Sequence, residues 1–157
     1  MKLYLTESQL AKIALFESQE AKAMELLNTI EYLYHATPSC YVGSIKKHGL
    51  GGKVPETRFW DYQGTPYENI TKGCFLATDE YVAESCVETS EAFEELAEKY
   101  EERYGKELNI TVFQIKVSDL DVNLLSIDTN MMMDDNTDPT YFYNGVIPFD
   151  KLTQIKL

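Results

Sequence analysis

The order in which helical and strand patterns appear along the chain constrains its fold more than any other sequence feature. A helical pattern comes first, short apolar segments alternate with helical patterns in the middle, and strand patterns dominate the last third. The order lacks the regular strand–helix–strand repeat that builds parallel sheets. It therefore predicts an α+β domain.

The first helical pattern covers Glu7–Asn28. Thr6 and Gln9 form a capping-box pattern at its start, in which each side chain bonds the backbone of the other residue. Apolar residues recur at close to helical spacing at Leu10, Ile13, Ala14, Ala21, Met24 and Leu27. We expect this extension, residues 1–30, to pack on the rest of a single domain spanning 1–157; a partner-binding arm is the alternative.

Two further helices and several short strands are predicted downstream. The helices cover Ser39–Lys47, with Gly49 as a left-handed cap, and Asp79–Glu107, which divides near Thr89. Thr78 or Asp79 can cap the second helical segment, and Gly105 is a natural stop for it. The strands cover Glu31–Ala36, Gly73–Ala77, Ile110–Val117, Tyr141–Tyr143 and Leu152–Leu157. The segments Gly51–Thr71 and Met131–Pro139 have no sustained period and are predicted to be loops, and loops of this length often serve a site.

The charge and cysteine content exclude several classes of function. The net charge is −12, which opposes non-specific binding to nucleic acid and to anionic membranes. No segment reaches the roughly 20 apolar residues of a membrane span. Cys40, Cys74 and Cys86 lack zinc-site spacing, and we expect no metal. A reduced, cytoplasmic protein is the simplest interpretation.

The stretch Tyr34-His35-Ala36-Thr37 carries the most chemical information. It closes an apolar run, and small and hydroxyl residues follow the histidine. A histidine at the tip of a strand can donate a hydrogen bond into a cleft. The alternative is a structural histidine bonded to a neighbouring carbonyl. The first interpretation favours an enzyme that handles a nucleotide.

Several motifs, taken in order, resemble the ADP-ribosyltransferase-like fold. They are Leu33-Tyr34-His35-Ala36-Thr37, Ile45 through Gly49-Leu50, Gly73-Cys74-Phe75-Leu76-Ala77-Thr78, Val112 through Val117, and Tyr141 through Pro148. The resemblance covers roughly Glu31–Leu157. It implies a split, mainly antiparallel β-sheet core with an N-terminal helix and an acidic helical insertion.

The resemblance also implies which residues hold NAD. His35 falls on the histidine that donates an N–H to a ribose hydroxyl, and backbone groups near Ala36 and Thr37 hold the nicotinamide amide. Phe75 falls on the aromatic residue of the nicotinamide pocket, with a stacking face but no hydroxyl. Tyr81 is a further aromatic, along with Trp60, that can close over a ring.

The motifs do not by themselves identify the cation and the carboxylate of the NAD site. Arg58, in the long loop, is a candidate for binding the pyrophosphate. Transferases of this family usually carry a late-strand glutamate, and this chain has none around Tyr141–Tyr143. Asp138 is the nearest upstream carboxylate, followed by Asp134 and Asp135. We expect one of them to supply the negative charge.

The expected function is that of an NAD-dependent mono-ADP-ribosyltransferase acting on a macromolecular acceptor, with a virus-encoded modifier of a host protein as one form of it. NAD is its co-substrate, and a protein acceptor is favoured over RNA. An RNA 2′-phosphotransferase is one alternative, in which Arg58 and His48 would hold a phosphate. A catalytically silent relative that binds a partner protein through its acidic helices is the other alternative.

Overall fold

A computed structural model describes residues 4–55, 63–128 and 138–155 of the chain. The helices are α1 (Glu7–Leu26), α2 (Val42–His48), α3 (Glu80–Glu88) and α4 (Glu91–Tyr104). The strands are β1 (Tyr32–Pro38), β2 (Cys74–Leu76), β3 (Ile110–Lys116), β4 (Leu125–Ile127), β5 (Tyr141–Tyr143) and β6 (Leu152–Ile155). The predicted α+β class is confirmed.

The strands form two small antiparallel sheets. The first sheet has the order β1-β3-β6 and the second the order β2-β5-β4. The sequence did not predict β4 as a strand. It has only three residues, and a short apolar run has no period that separates strand from helix.

The helix ends follow the predicted capping chemistry with one exception. Thr6 and Gln9 form the capping box, and the Asp79 carboxylate caps α3. Gly105 adopts the left-handed conformation after α4, with φ 63° and ψ 27°. The prediction for Gly49 was wrong, because its φ of 78° is combined with an extended ψ of 164°. The chain must extend there, since Leu50 immediately pairs with Ile147.

The main hydrophobic cluster lies between the two sheets and the last turns of α1. It contains Ala23 and Leu27 from the helix side and Leu33, Leu76 and Ile115 from the strands, all buried. The Tyr141 hydroxyl donates a hydrogen bond to the Ala23 carbonyl, which ties α1 to the second sheet. A second cluster, formed by α3 residues and by Ala36, Ala77 and Val112, covers the opposite face of the first sheet. Within the described ranges no helix is both long and apolar enough to cross a membrane.

Gly73 allows close packing at the start of β2, and its substitution is expected to destabilise the protein. Its φ is 107°, and a Cβ there would lie 2.6 Å from Cζ of Phe142 and 2.7 Å from the Tyr143 carbonyl oxygen. We expect Gly73→Ala to lower the free energy of unfolding by about 2–4 kcal/mol, from backbone strain and overpacking together. Urea denaturation measures the change.

Gly64→Ala is the matched control for Gly73→Ala. Gly64 also has a positive φ, of 75°, but a Cβ there meets nothing within 4 Å. Its substitution adds backbone strain alone, about 1–2 kcal/mol. Equal losses for the two variants would show that the contacts with Phe142 and Tyr143 contribute nothing.

Candidate functional site at the junction of the two sheets

The two sheets meet at a single pair of residues. The backbone N–H of Tyr34 in β1 donates to the Ala77 carbonyl at 2.8 Å, and the Ala77 N–H donates back at 2.8 Å. In the described part of the chain these are the only backbone hydrogen bonds between β1 and the β2 segment. Beyond Tyr34 and Ala77 the two strands therefore diverge.

The ladder between β1 and β3 determines which backbone groups of β1 point into this gap. Just beyond one end of β1 the Ser39 N–H donates to the Asn109 carbonyl, and just before the other end the Val117 N–H donates to the Glu31 carbonyl. In antiparallel pairing the bonded residues alternate, so odd-numbered residues of β1 bond β3. The backbone N–H and C=O groups of the even-numbered residues point away from β3, as those of Tyr34 do. The N–H and C=O of Ala36 consequently point into the gap between β1 and β2.

The His35 side chain spans the same gap. Its Nδ1 lies 2.8 Å from the carbonyl oxygen of Phe75, and a carbonyl can only accept, so Nδ1 carries the proton. Burial lowers the pKa of His35, and the bond to Phe75 opposes that shift in part. The ring is therefore neutral at pH 7, and its Nε2 is a hydrogen-bond acceptor.

Nε2 is the nitrogen of the half-buried His35 that makes no hydrogen bond to the described residues. No buried side-chain nitrogen or oxygen in the described ranges lacks a hydrogen-bond partner, and the His35 bond present there is made through Nδ1. One ring nitrogen, Nδ1, thus makes the bond to a neighbouring carbonyl that a structural histidine was expected to make. The other nitrogen remains available to a ligand. In the neutral ring it accepts from a hydroxyl, which reverses the direction of the bond expected from the sequence.

The depressed pKa of His35 makes the stability of the fold depend on pH. The unfolded chain has the ordinary value of 6.5, so below that pH it binds more protons than the folded chain. The free energy of unfolding should therefore fall as the pH falls through this value towards the lower folded one. We expect this fall between about pH 7.5 and 5.5 to be smaller in His35→Asn, measured by urea denaturation at each pH.

His48→Asn is the control for this pH effect. His48 is the other of the two histidines and is exposed at the end of α2. This variant should keep the response of the natural chain. A response that is the same in both variants and in the natural chain would show that His35 does not cause it.

An aromatic cluster covers the second sheet next to the gap. Phe75 lies opposite Phe142 in the β2–β5 register, and their ring centroids are 5.1 Å apart. Tyr67 contacts both rings, also at 5.1 Å, and is buried with 6% of its surface exposed. The sequence did not single out Tyr67, because it lies in the long segment without periodicity.

Two carboxylates lie near this part of the second sheet. Asp138 is exposed and accepts a hydrogen bond from the Thr78 hydroxyl at 3.3 Å, one residue beyond the junction. Asp128 follows β4, is 4% exposed, and its N–H donates to the Thr140 carbonyl at 2.7 Å. The sequence did not single out Asp128. No sequence signal identified it, because β4, which it follows, was not predicted as a strand.

The electrostatic environment of the junction is negative. Burial raises the pKa of Tyr34, and the charges of Glu80 and Asp79 raise it further. Both carboxylates belong to the beginning of α3, where Asp79 caps the helix. A cationic group bound at the junction would be stabilised by this field.

The remaining predicted site residues have different surroundings. Ala36 and Thr37 are buried in β1, with 9% and 5% of their surfaces exposed. Tyr81 is 65% exposed in the first turn of α3. Arg58, Trp60, Asp134 and Asp135 lie outside the described residues. Among residues 4–55, 63–128 and 138–155, no three His, Cys, Asp or Glu side chains are grouped so as to hold a metal ion.

Comparison with protein-family models, with curated proteins and with solved structures gives no match to this chain.

Proposed function

We propose that this chain binds NAD at the junction of its two sheets and transfers ADP-ribose to a macromolecular acceptor. The observation that supports the proposal is the opening between β1 and β2, which places three kinds of group together. They are the backbone N–H and C=O of Ala36, the Nε2 of His35, and the rings beside Phe75. The motifs that resemble ADP-ribosyltransferases fall on these same residues.

The Ala36 backbone matches the chemistry of a carboxamide. A carboxamide has one N–H₂ donor and one C=O acceptor, and a single residue of an unpaired strand edge offers the complementary pair. Ala36 is buried, so a ligand there would form these bonds away from water, where they are stronger. Phe75, whose ring contacts Tyr67 and Phe142, is the residue that the resemblance assigns to the nicotinamide pocket.

Nε2 of His35 is suited to a ribose hydroxyl. A hydroxyl donates to an unprotonated nitrogen, and the Nδ1 bond to Phe75 holds the ring in the tautomer that this requires. The residues thus fit the sugar and the nicotinamide of NAD. The cation predicted for the pyrophosphate, Arg58, lies outside the described residues.

The carboxylates supply the charge that the reaction needs. NAD provides the ADP-ribose group, which becomes positively charged at the ribose as the bond to nicotinamide breaks. Negative charge held in place beside that sugar lowers the barrier. We assign this role to Asp138, because it is accessible and the Thr78 hydroxyl orients it beside the junction.

One observation favours the silent relative as a second candidate. The strand residues Tyr141, Phe142 and Tyr143 are all buried, and none is a carboxylate. An enzyme of this type must therefore use a carboxylate outside β5. Without one, the chain would bind NAD or a partner without turnover.

Nicotinamide release from NAD tests the proposal. The natural chain should release nicotinamide, and Asp138→Asn should lower kcat at least about tenfold with an unchanged melting temperature. Asp128→Asn is the matched variant. Asp128 is buried, so its change should lower the melting temperature instead.

Other outcomes would select a different function. Phosphate transfer from a 2′-phosphorylated RNA to NAD, without nicotinamide release, would identify a phosphotransferase. A melting temperature that does not change with NAD would remove NAD as the ligand. Loss of kcat in Asp128→Asn alone would transfer the catalytic role to that residue.

A further inference from the structure

We propose that the exposed stripe of α1 is a docking surface for a helix of another protein that carries lysine or arginine between apolar residues. This inference is independent of NAD binding. It rests on a mismatch between the apolar pattern of α1 and the side of α1 that packs on the domain.

The packed side of α1 is formed by Phe16, Ala23 and Leu27. Ala23 and Leu27 are 3% and 5% exposed, and the half-buried Phe16 packs against the same cluster. A helix turns by about 100° per residue, so residues four or seven positions apart lie on the same side of it. These three residues therefore define a single packed side.

The docking stripe lies on a different side of the helix. It contains Leu10, Ile13, Ala14, Ala21 and Met24, which lie within about 100° of one another around the helix. Its centre is turned about 100° from the packed side. Leu10 and Ile13 are 52% and 43% exposed, and only Met24 packs against the main cluster. Most of the apolar pattern of α1 is thus presented to solvent.

The charge on the stripe indicates the chemistry of the partner. Glu17 and Glu20 lie on or beside the line of apolar residues and are exposed. Lys12 and Lys22 of the same helix lie on other sides of it. A second copy of this chain therefore brings no cation from its stripe to meet these carboxylates, and it adds another net charge of −12. A basic residue of a different protein supplies the missing charge.

The length of the stripe sets the size of the partner. From Leu10 to Met24 the helix rises about 21 Å, which a partner helix of about four turns covers. Such a helix would place leucine or isoleucine against Leu10 and Ile13. Its lysine or arginine would face Glu17 and Glu20. Helix-in-groove recognition commonly uses this spacing of anchors.

The test uses a fluorescent synthetic helical peptide with leucines at heptad positions and lysines placed to face Glu17 and Glu20. A matched peptide carries glutamate in place of each lysine. By fluorescence anisotropy, the lysine peptide should bind at least about tenfold more tightly than the glutamate peptide. The double variant Leu10→Ser, Ile13→Ser should weaken binding of the lysine peptide by a similar factor.

Two variants test whether the peptide binds to the stripe or to any exposed apolar residue of α1. Leu15→Ser removes a side chain that is 54% exposed but lies on another side of α1, and it should leave binding unchanged. The double variant Glu17→Gln, Glu20→Gln should remove the preference for the lysine peptide. Equal binding of both peptides, no binding of either, or an equal loss in Leu15→Ser would overturn the proposal. A natural chain that dimerises through α1 and becomes monomeric in Leu10→Ser would also overturn it, in favour of a second copy as the occupant.

Discussion

His35→Ala should weaken NAD binding by about 10- to 100-fold and abolish measurable nicotinamide release. The substitution removes an acceptor for a ribose hydroxyl, and leaving a buried hydroxyl without its partner costs roughly 1–3 kcal/mol. It also removes the Nδ1 donor at 2.8 Å from the Phe75 carbonyl, which crosses the gap between the sheets. We therefore expect a loss of stability of about 1–3 kcal/mol in the same variant. Calorimetric titration with NAD and urea denaturation measure the two effects.

His35→Asn separates the two functions of the ring. An asparagine amide placed on the Nδ1 side can donate to the Phe75 carbonyl but offers nothing at the Nε2 position. This variant should recover most of the stability and none of the NAD affinity. If it regains both, His35 is only a structural bridge between the strands. If neither variant changes NAD affinity, the junction is not the nucleotide site.

Phe113→Ala should cause the largest loss of stability of any substitution considered, about 3–5 kcal/mol. Phe113 is 1% exposed, lies opposite His35 in the β1–β3 register, and packs edge-on against Phe149 at 6.2 Å. Truncation removes the transfer free energy of the ring and leaves a cavity in the main cluster. Urea denaturation followed by circular dichroism measures the change.

Tyr104→Ala is the matched aromatic truncation. Tyr104 is 53% exposed at the end of α4, and its ring is tilted by 48° to that of Tyr100, with the centroids 4.7 Å apart. Its loss should cost less than about 1 kcal/mol, because little apolar area returns to water. A similar loss in both variants would contradict the assignment of Phe113 to the main cluster.

Several elements were predicted from the sequence because they depend on interactions between near neighbours. The Thr6–Gln9 capping box, the Asp79 cap and the division of the acidic segment near Thr89 depend on bonds within three or four residues. The alternation of Ile110–Val117 identified β3, since one side chain in two faces each cluster. Strand β4 and the conformation of Gly49 were not readable, because pairing with β5 and with Ile147 determines them.

The candidate site was readable only in part. The motif around His35 and Phe75 pointed to one site, and the structure joins the two residues through a hydrogen bond. The tautomer of His35 follows from its contact with the Phe75 carbonyl on β2. The direction of the Ala36 backbone groups follows from the β1–β3 register. Tyr67 lies in a segment without periodicity, and Asp128 lies more than fifty residues after Phe75 in the sequence. Only folding brings both of them to this sheet.

The helices, most strands and the chemical character of the candidate residues follow from the sequence, because they depend on side chains and on neighbours a few residues away. The divergence of β1 and β2 beyond Tyr34 and Ala77 is set by tertiary contacts, and so is the side of α1 that faces the core. The physical reason is that antiparallel pairing and helix docking are contacts between distant segments. Their register is selected by how the whole core packs, and no local pattern encodes it.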